Sequence, residues 1–276
     1  MKNSYELITS RQNPLVQLTA SLSDRKKRTR EELFRFDGRK LFLEALREEL
    51  PLAALLFRAS SAEELLALAG DMPLPRECRT VLLADELFDR ISEENAPEGV
   101  ICVCKQLKEL HKILDDTNSD CWGQMLSHGR TLVLESVRDP GNLGTIIRSA
   151  AAFGVSNLVL SADCADLYHP RTLRAAMGAA FKKPILVAKE ITSVIRALAE
   201  RGRVWAAALD ESAVRLGDVE IGPEDTVIVG NEGHGISDRV LSAATDKLYI
   251  PMEQGVESLN AGVAASVLLW ELYRGR

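Results

Sequence analysis

The sequence predicts an α/β protein: a small N-terminal α/β unit, then a larger unit built on a mainly parallel sheet with helices on both faces. Three observations carry this. From Arg130 onward, the short apolar runs TLVLES, SNLVLS, PILVAK, RVWAAALD, TVIVGNE and KLYIPM alternate with helical stretches such as GTIIRSAAAFG and ITSVIRALAERG. Runs without in–out alternation belong to strands buried on both faces, as in parallel sheets covered by helices. The first hundred residues repeat the alternation on a smaller scale. Between them, QLKELHKILDDTNSDCWGQMLSHG sustains no period and holds turn formers, which marks a junction. The predicted bounds are 1–105, a linker over 106–129, and 130–276.

In chain order, PLVQLTASLSD from Pro14 has helical spacing of its apolar residues. Strands are expected at LAALLF from Leu52, RTVLLAD from Arg79 and GVICVCK from Gly99, with helices at SAEELLALAG and ADELFDRISEE between them. Ser61 and Asp85 are the expected N-caps of those helices. Cys102 and Cys104, at strand spacing, point to one face and read as buried structural thiols. The closing segment SLNAGVAASVLLWELYRG reads as a long, buried apolar helix.

Composition narrows the function. With 46% hydrophobic and 27% charged residues the 276-residue chain has a globular composition. No run approaches the roughly 18–20 apolar residues of a membrane span, and the opening MKNSYELITSRQNP lacks a secretory h-region, so the expected location is cytoplasmic. The five cysteines and four histidines show no metal-ligand spacing, and no metal is expected. A net charge of −6 argues against indiscriminate coating of nucleic acid but leaves room for a local basic patch. One stretch qualifies: Arg25, Lys26, Lys27, Arg28 and Arg30, followed by Arg35, Arg39 and Lys40. Taken alone it reads equally well as a solvated helix end.

Ligands of open parallel sheets bind beyond the strands' carboxyl ends. Three polar or glycine-rich segments occupy such places. ESVRDPGNLGTIIRSAAAFG turns at Asp139–Gly141 into a helix beginning near Asn142, with Gly144 and Arg148 further on; Asn142 reads either as N-cap or as a site residue. VIVGNEGHGIS places Gly230, Asn231, Glu232, Gly233, His234 and Gly235 after a strand. Its GxxGxG order is not the GxGxxG of dinucleotide-binding folds, which disfavours a nicotinamide-dependent enzyme. YIPMEQGVESLNAGVAASV stops a strand at Pro251 and re-enters a helix at Ser258, the expected N-cap, with Asn260 in the first turn.

In this order and spacing the three segments resemble the motifs of the SpoU/TrmH branch of the SPOUT RNA methyltransferases. The first motif is Asn142, Gly144 and Arg148; the second Gly230, Asn231, Glu232, Gly233 and Gly235; the third Ile250, Pro251 and Met252 with Ser258, Leu259 and Asn260. The resemblance implies a C-terminal trefoil knot, a homodimer, S-adenosylmethionine as cofactor, and methyl transfer to a ribose 2′-hydroxyl of RNA, ribosomal rather than transfer RNA. It places Leu209, Gly230, Asn231, Gly233, Gly235, Ile250, Pro251, Met252 and Leu259 at the cofactor, and Asn142, Arg148, Glu232, Ser258 and Asn260 in the catalytic set. The N-terminal region, opening ITSRQNPLVQLTAS, resembles a small ribosomal-protein-like RNA-binding domain. That raises Arg25, Lys26, Lys27, Arg28 and Arg30 as phosphate contacts, with Arg11 and Lys40 on the same surface. One departure stands out: SLNAGVA replaces the frequent SLNVSVA, so Gly262 removes a serine hydroxyl.

A charged guanidinium accepts no proton, so Arg148 is expected to stabilise a developing alkoxide and a neighbouring phosphate rather than act as base. Glu232 is expected to support the site, through backbone amides or Arg148, in preference to serving as general base. The competing reading is a non-catalytic RNA-binding or ribosome-assembly protein.

Overall fold

A computed structural model describes residues 5–115, 122–253, 255 and 258–274. Cys121 and part of the expected linker lie outside the described residues. Among the described residues, no helix is long and apolar enough to cross a membrane.

The chain forms two compact units, Met1–Leu107 with Asp166–Lys182, and Lys108–Ala165 with Lys183–Arg276. The first begins β1 (Glu6–Ile8), α1 (Pro14–Ser21), α2 (Arg25–Glu31), β2 (Leu33–Asp37) and α3 (Arg39–Arg47). It continues β3 (Leu52–Arg58), α4 (Ala62–Ala69), β4 (Arg79–Leu83), α5 (Asp85–Ile91) and β5 (Val100–Lys105). The second unit then supplies β6 (His111–Leu114), α6 (Trp122–Met125), β7 (Thr131–Leu134), α7 (Pro140–Ala152) and β8 (Asn157–Ser161). The chain returns to the first unit for α8 (Pro170–Ala176). The second unit ends with β9 (Ile185–Ala188), α9 (Ile191–Ala199), β10 (Val204–Ala207), β11 (Val214–Arg215), β12 (Thr226–Val229), α10 (Asp238–Leu241), β13 (Asp246–Tyr249) and α11 (Ala261–Arg274).

In the first unit the sheet order is β1-β4-β3-β5-β2. β1, β4 and β3 run parallel; β5 and β2 pair antiparallel with their neighbours. Asn13 Oδ1 caps α1 by accepting the Leu15 N–H at 2.9 Å, and Pro14 starts the helix where its missing N–H costs nothing. One face of the sheet packs Ile8, Val81, Leu83 and Ile101 against Leu15, Val16 and Phe88. On β2, Phe34 meets Tyr168 with ring centroids 4.6 Å apart, and Phe36 meets Phe181 at 5.0 Å. The Tyr168 hydroxyl also accepts the Leu107 N–H at 2.9 Å.

The expected N-terminal bounds therefore need correcting: Asp166–Lys182 packs with the first unit because it brings aromatic cover for β2. The expected linker is also shorter, since His111–Leu114 is a strand paired with β9. Two caps differ as well. Ser61 stands at the N-cap of α4 without a side-chain cap bond. Ala84 occupies that position for α5, while the Asp85 carboxylate accepts the Ser60 N–H at 3.1 Å. Cys102 and Cys104 are buried on β5, and burial raises both thiols.

The second sheet runs β11-β13-β10-β12-β7-β8-β9-β6, with every pair parallel. On one face Val133, Val159, Ala206 and Ile228 pack with Ile191, Val194, Ile195 and Leu198 of α9. The alternate residues Leu132 and Leu134 are equally buried, and α7 and α11 pack together, with α11 also touching β12. Burial on both faces explains the unbroken apolar runs.

Candidate functional site

Because the strands are parallel, the carboxyl ends of β13, β10, β12 and β7 lie side by side, and Ile250, Leu209, Gly230 and Glu135 follow there or one residue beyond. The three motif segments meet at this edge. At α11 the N-cap is Asn260, whose Oδ1 accepts the N–H groups of Gly262 (2.9 Å) and Val263 (3.3 Å). Those donors fix the amide's orientation and turn Nδ2 outward, where it donates to Asn142 Oδ1 at 2.9 Å. Asn142 must then present Nδ2 on its other side, and donates to Glu232 Oε1 at 2.9 Å. Longer contacts from the Arg138 and Asp139 N–H groups, both 3.4 Å, complete the Glu232 carboxylate. One directional chain, Asn260→Asn142→Glu232, thus joins α11, α7 and the loop after β12.

At the site the cap reading of Asn142 falls, and the expected cap at Ser258 shifts. Asp139, not Asn142, caps α7, accepting the Asn142 N–H at 2.8 Å. Asn260, not Ser258, caps α11, because the helix begins at Ala261. Ser258 is exposed and makes no side-chain hydrogen bond among the described residues. The Arg148 side chain, exposed on α7, makes no hydrogen bond or ion pair among the described residues, so the alternative tie between Glu232 and Arg148 is absent there.

The loop after β12 closes on itself. Asn231 and Gly235 exchange backbone hydrogen bonds of 2.9 and 3.0 Å, and Asn231 Oδ1 accepts the N–H groups of Gly233 and His234. A Cβ on Gly230 would lie 2.4 Å from the Gly235 carbonyl carbon, so only glycine fits, and Gly235 itself has φ +68°. Asn231 Nδ2 donates to the Ser136 carbonyl at 2.7 Å, fastening the loop to the end of β7.

Sequence reasoning misses Glu135. It is buried, and its oxygens accept the Ser237 hydroxyl at 2.6 Å and the Ser237 N–H at 2.9 Å, while its own N–H binds the Val229 carbonyl at 2.9 Å. Its carboxylate therefore pins the far end of the glycine loop. The available signal is a charged residue closing the apolar strand TLVLE.

Around Gly230 the expected cofactor contacts offer apolar surface: Leu209 is 64% exposed, and Ile250, Met252 and Leu259 are half-buried. Pro251 is exposed beside them. Gly262 lies close to the cap and to α7. A Cβ there would lie 3.2 Å from Asn260 Oδ1 and 3.4 Å from Thr145, pressing on both the cap and α7.

Of the expected RNA contacts, Arg28 is misassigned. It is 2% exposed, with Nη2 and Nε donating to Asp166 at 2.6 and 3.1 Å and Nη1 to the Leu22 and Ser23 carbonyls at 2.7 Å. With four of its five donors committed inside the first unit and the side chain buried, it is not placed to meet phosphate. Arg35 is likewise buried, paired with Asp37 at 2.7 Å. Arg11, Arg25, Lys26 and Lys40 are exposed and Lys27 is half-buried; none makes a side-chain ion pair among the described residues. Arg30 is exposed and pairs with Glu31.

A cavity of about 850 Å³ lies at the opposite edge of the second sheet, beside Gly129, Arg130, Gly222, Glu271 and Arg274. Its cations are occupied: Arg130 donates to the Ile221, Gly222 and Leu272 carbonyls, and Arg274 pairs with Glu271.

An all-parallel sheet with a self-closed glycine loop and two asparagines linked at its carboxyl edge defines the class. The SpoU rRNA Methylase family matches residues 129–270, just over half of the chain, and an MRM3-like substrate binding domain matches residues 13–102. An uncharacterised tRNA/rRNA methyltransferase of Synechocystis sp. is 31% identical over 97% of this chain and 93% of its own. The 23S rRNA (guanosine(2553)-2′-O)-methyltransferase RlmP of Bacillus subtilis is 29% identical over 96% and 98%. Among solved structures, the AdoMet-bound rRNA methyltransferase of Sinorhizobium meliloti is 26% identical with TM-score 0.78, covering 98% of both chains. The chain belongs to the SpoU rRNA methylase family.

Proposed function

We propose that this protein transfers a methyl group from S-adenosylmethionine to a ribose 2′-hydroxyl of ribosomal RNA. The observation that carries the proposal is the Asn260→Asn142→Glu232 chain, which links all three motif segments at one sheet edge. Relatives covering nearly the whole chain support it, RlmP among them.

The residues at that edge fit the cofactor: exposed Leu209 with Ile250, Met252 and Leu259 offers apolar surface for a purine nucleoside, and the tight Gly230–Gly235 loop and Pro251 set the backbone beside it. Bound there, S-adenosylmethionine supplies a methyl carbon activated by its sulfonium. The family's trefoil knot is assigned to the segments around Gly230, Ile250 and Asn260; supporting this, β10 sits between the later strands β12 and β13. Asn142, oriented from both sides, positions the ribose. Arg148, exposed and with no side-chain partner among the described residues, stabilises the oxygen as its proton leaves to water, and holds the adjoining phosphate. Glu232 accepts from Asn142 and so serves as support, with Ser258 beside the entry to α11.

The active unit is assigned as a homodimer in the cytoplasm. Val263, Val267, Trp270 and Tyr273 expose one apolar stripe along α11, which a second copy would cover. A single-chain mass in sedimentation equilibrium would remove that assignment.

The test is methyl transfer from labelled S-adenosylmethionine to ribosomal and transfer RNA by wild type and Arg148→Ala, followed by nucleoside digestion and mass analysis. Wild type yields a 2′-O-methylnucleoside in ribosomal RNA, and Arg148→Ala is slower by about a hundredfold or more. Folded wild type that binds the cofactor yet modifies no RNA would overturn the proposal in favour of a non-catalytic RNA-binding protein.

A further inference from the structure

The first unit holds a cavity of about 440 Å³ that the methyl-transfer site does not use. It lies within the range of about 300–1,000 Å³ typical of sites for small organic groups. Its apolar lining is Val16 and Ala20 of α1 with Ile91 at the end of α5; Val16 and Ile91 are buried core residues. Its polar lining is Arg11, Gln12 and Gln17, all exposed, and none of these side chains makes a hydrogen bond or ion pair among the described residues. Gln17 and the apolar lining fall inside the match to a substrate binding domain, and Arg11 and Gln12 immediately precede it.

We propose that this cavity takes one unpaired nucleobase of the RNA substrate, a contact that rests on the reading of the protein as an RNA methyltransferase. An apolar floor suits the face of a base. A carboxamide offers one acceptor and two donors, the pattern needed to read a base edge, and two carboxamides stand at the rim. Arg11 supplies a planar cation for stacking or for the flanking phosphate. A base inside a duplex keeps its face and pairing edge covered, so the cavity selects a loop, bulge or extruded nucleotide. The cations of α2, Arg25, Lys26 and Lys27, begin four residues after the last α1 residue and would hold the backbone without regard to sequence.

The probes are a fluorescent single-stranded oligoribonucleotide and the same strand annealed to its complement, titrated with the full chain. Gln12→Ala/Gln17→Ala weakens single-strand binding about tenfold while duplex binding changes less than about twofold. Ala20→Leu, which fills the cavity from a half-buried helix position, does the same, with circular dichroism and Tm as the check on folding. Lys26→Ala/Lys27→Ala weakens both probes and flattens the salt dependence. If the two cavity variants bind the single strand like wild type while the lysine variant loses affinity, the nucleobase site is wrong and RNA binding stands. If no variant changes binding to either probe, the RNA reading of this unit fails, and the nucleobase site with it.

Discussion

Helix α2 and the Asn260→Asn142→Glu232 chain are both polar constellations visible from residue type, yet they are organised in opposite ways. On α2 the side chains act singly, and burial sorts them: Arg25 and Lys26 face solvent, while Arg28, in the same run, is locked to Asp166. In the chain, three exposed or half-buried side chains from three distant segments determine one another's orientation. Adjacent charges thus have different tasks, and residues more than a hundred positions apart share one.

The largest effect is expected from breaking the first region at its buried member. Arg28→Ala leaves the Asp166 carboxylate, 16% exposed, and two carbonyls without their donor, a loss of about 3–5 kcal/mol. Lys26→Ala, two residues away, stays within about 0.5 kcal/mol. Urea unfolding of the pair gives the comparison, and equal midpoints would erase the distinction.

A smaller but more diagnostic effect concerns coupling. Asn142→Ala and Asn260→Ala each lower kcat/KM by between about ten- and a hundredfold, as expected for leaving a hydrogen-bond partner unmet. The double variant is scarcely worse than the poorer single one, because either change releases the same chain. Losses that multiply would show the two amides to act independently.

The smallest effect returns to Arg28's surroundings. His169 Nδ1 accepts the Arg171 N–H at 3.1 Å and caps α8. Burial first, then the Arg28 charge, holds its pKa below the ordinary 6.5, with Asp166 and Glu93 opposing and Arg171 adding to the depression. The unfolded chain therefore binds the proton first. Stability is full above 6.5 and declines as pH falls from there toward the depressed folded value. His169→Asn keeps a cap acceptor that does not titrate, and flattens Tm measured on either side of 6.5.

The second sheet is legible in the sequence because burial on both faces leaves uninterrupted apolar runs such as TLVL and NLVL. β2 is not, since LFRFD carries Arg35 and Asp37, whose charges neutralise each other inside the unit and look from sequence like surface. β1 and β6 escape notice as edge strands, with Leu7 and Ile113 each 56% exposed and little periodicity to read. At the candidate site, the residue types and their spacing lead to three segments that meet at one sheet edge. The caps are displaced because the last non-helical residue is a backbone property: Asp139 and Asn142, or Ser258 and Asn260, are chemically equivalent candidates a turn or less apart. Arg28 is misread for a related reason, as composition does not say which side of a helix meets the core.

The excursion of Asp166–Lys182 into the first unit has a consequence for inheritance and synthesis. Leaving the ribosome, residues up to Leu107 carry Arg28 without its carboxylate and Phe34 without Tyr168, and they gain both only after β8 has been made. A recombination event with a single crossover near Leu107 would separate these partners. The two units are therefore transmitted as one interleaved gene segment, and exchange of the N-terminal unit between relatives requires two inserted pieces in place of one.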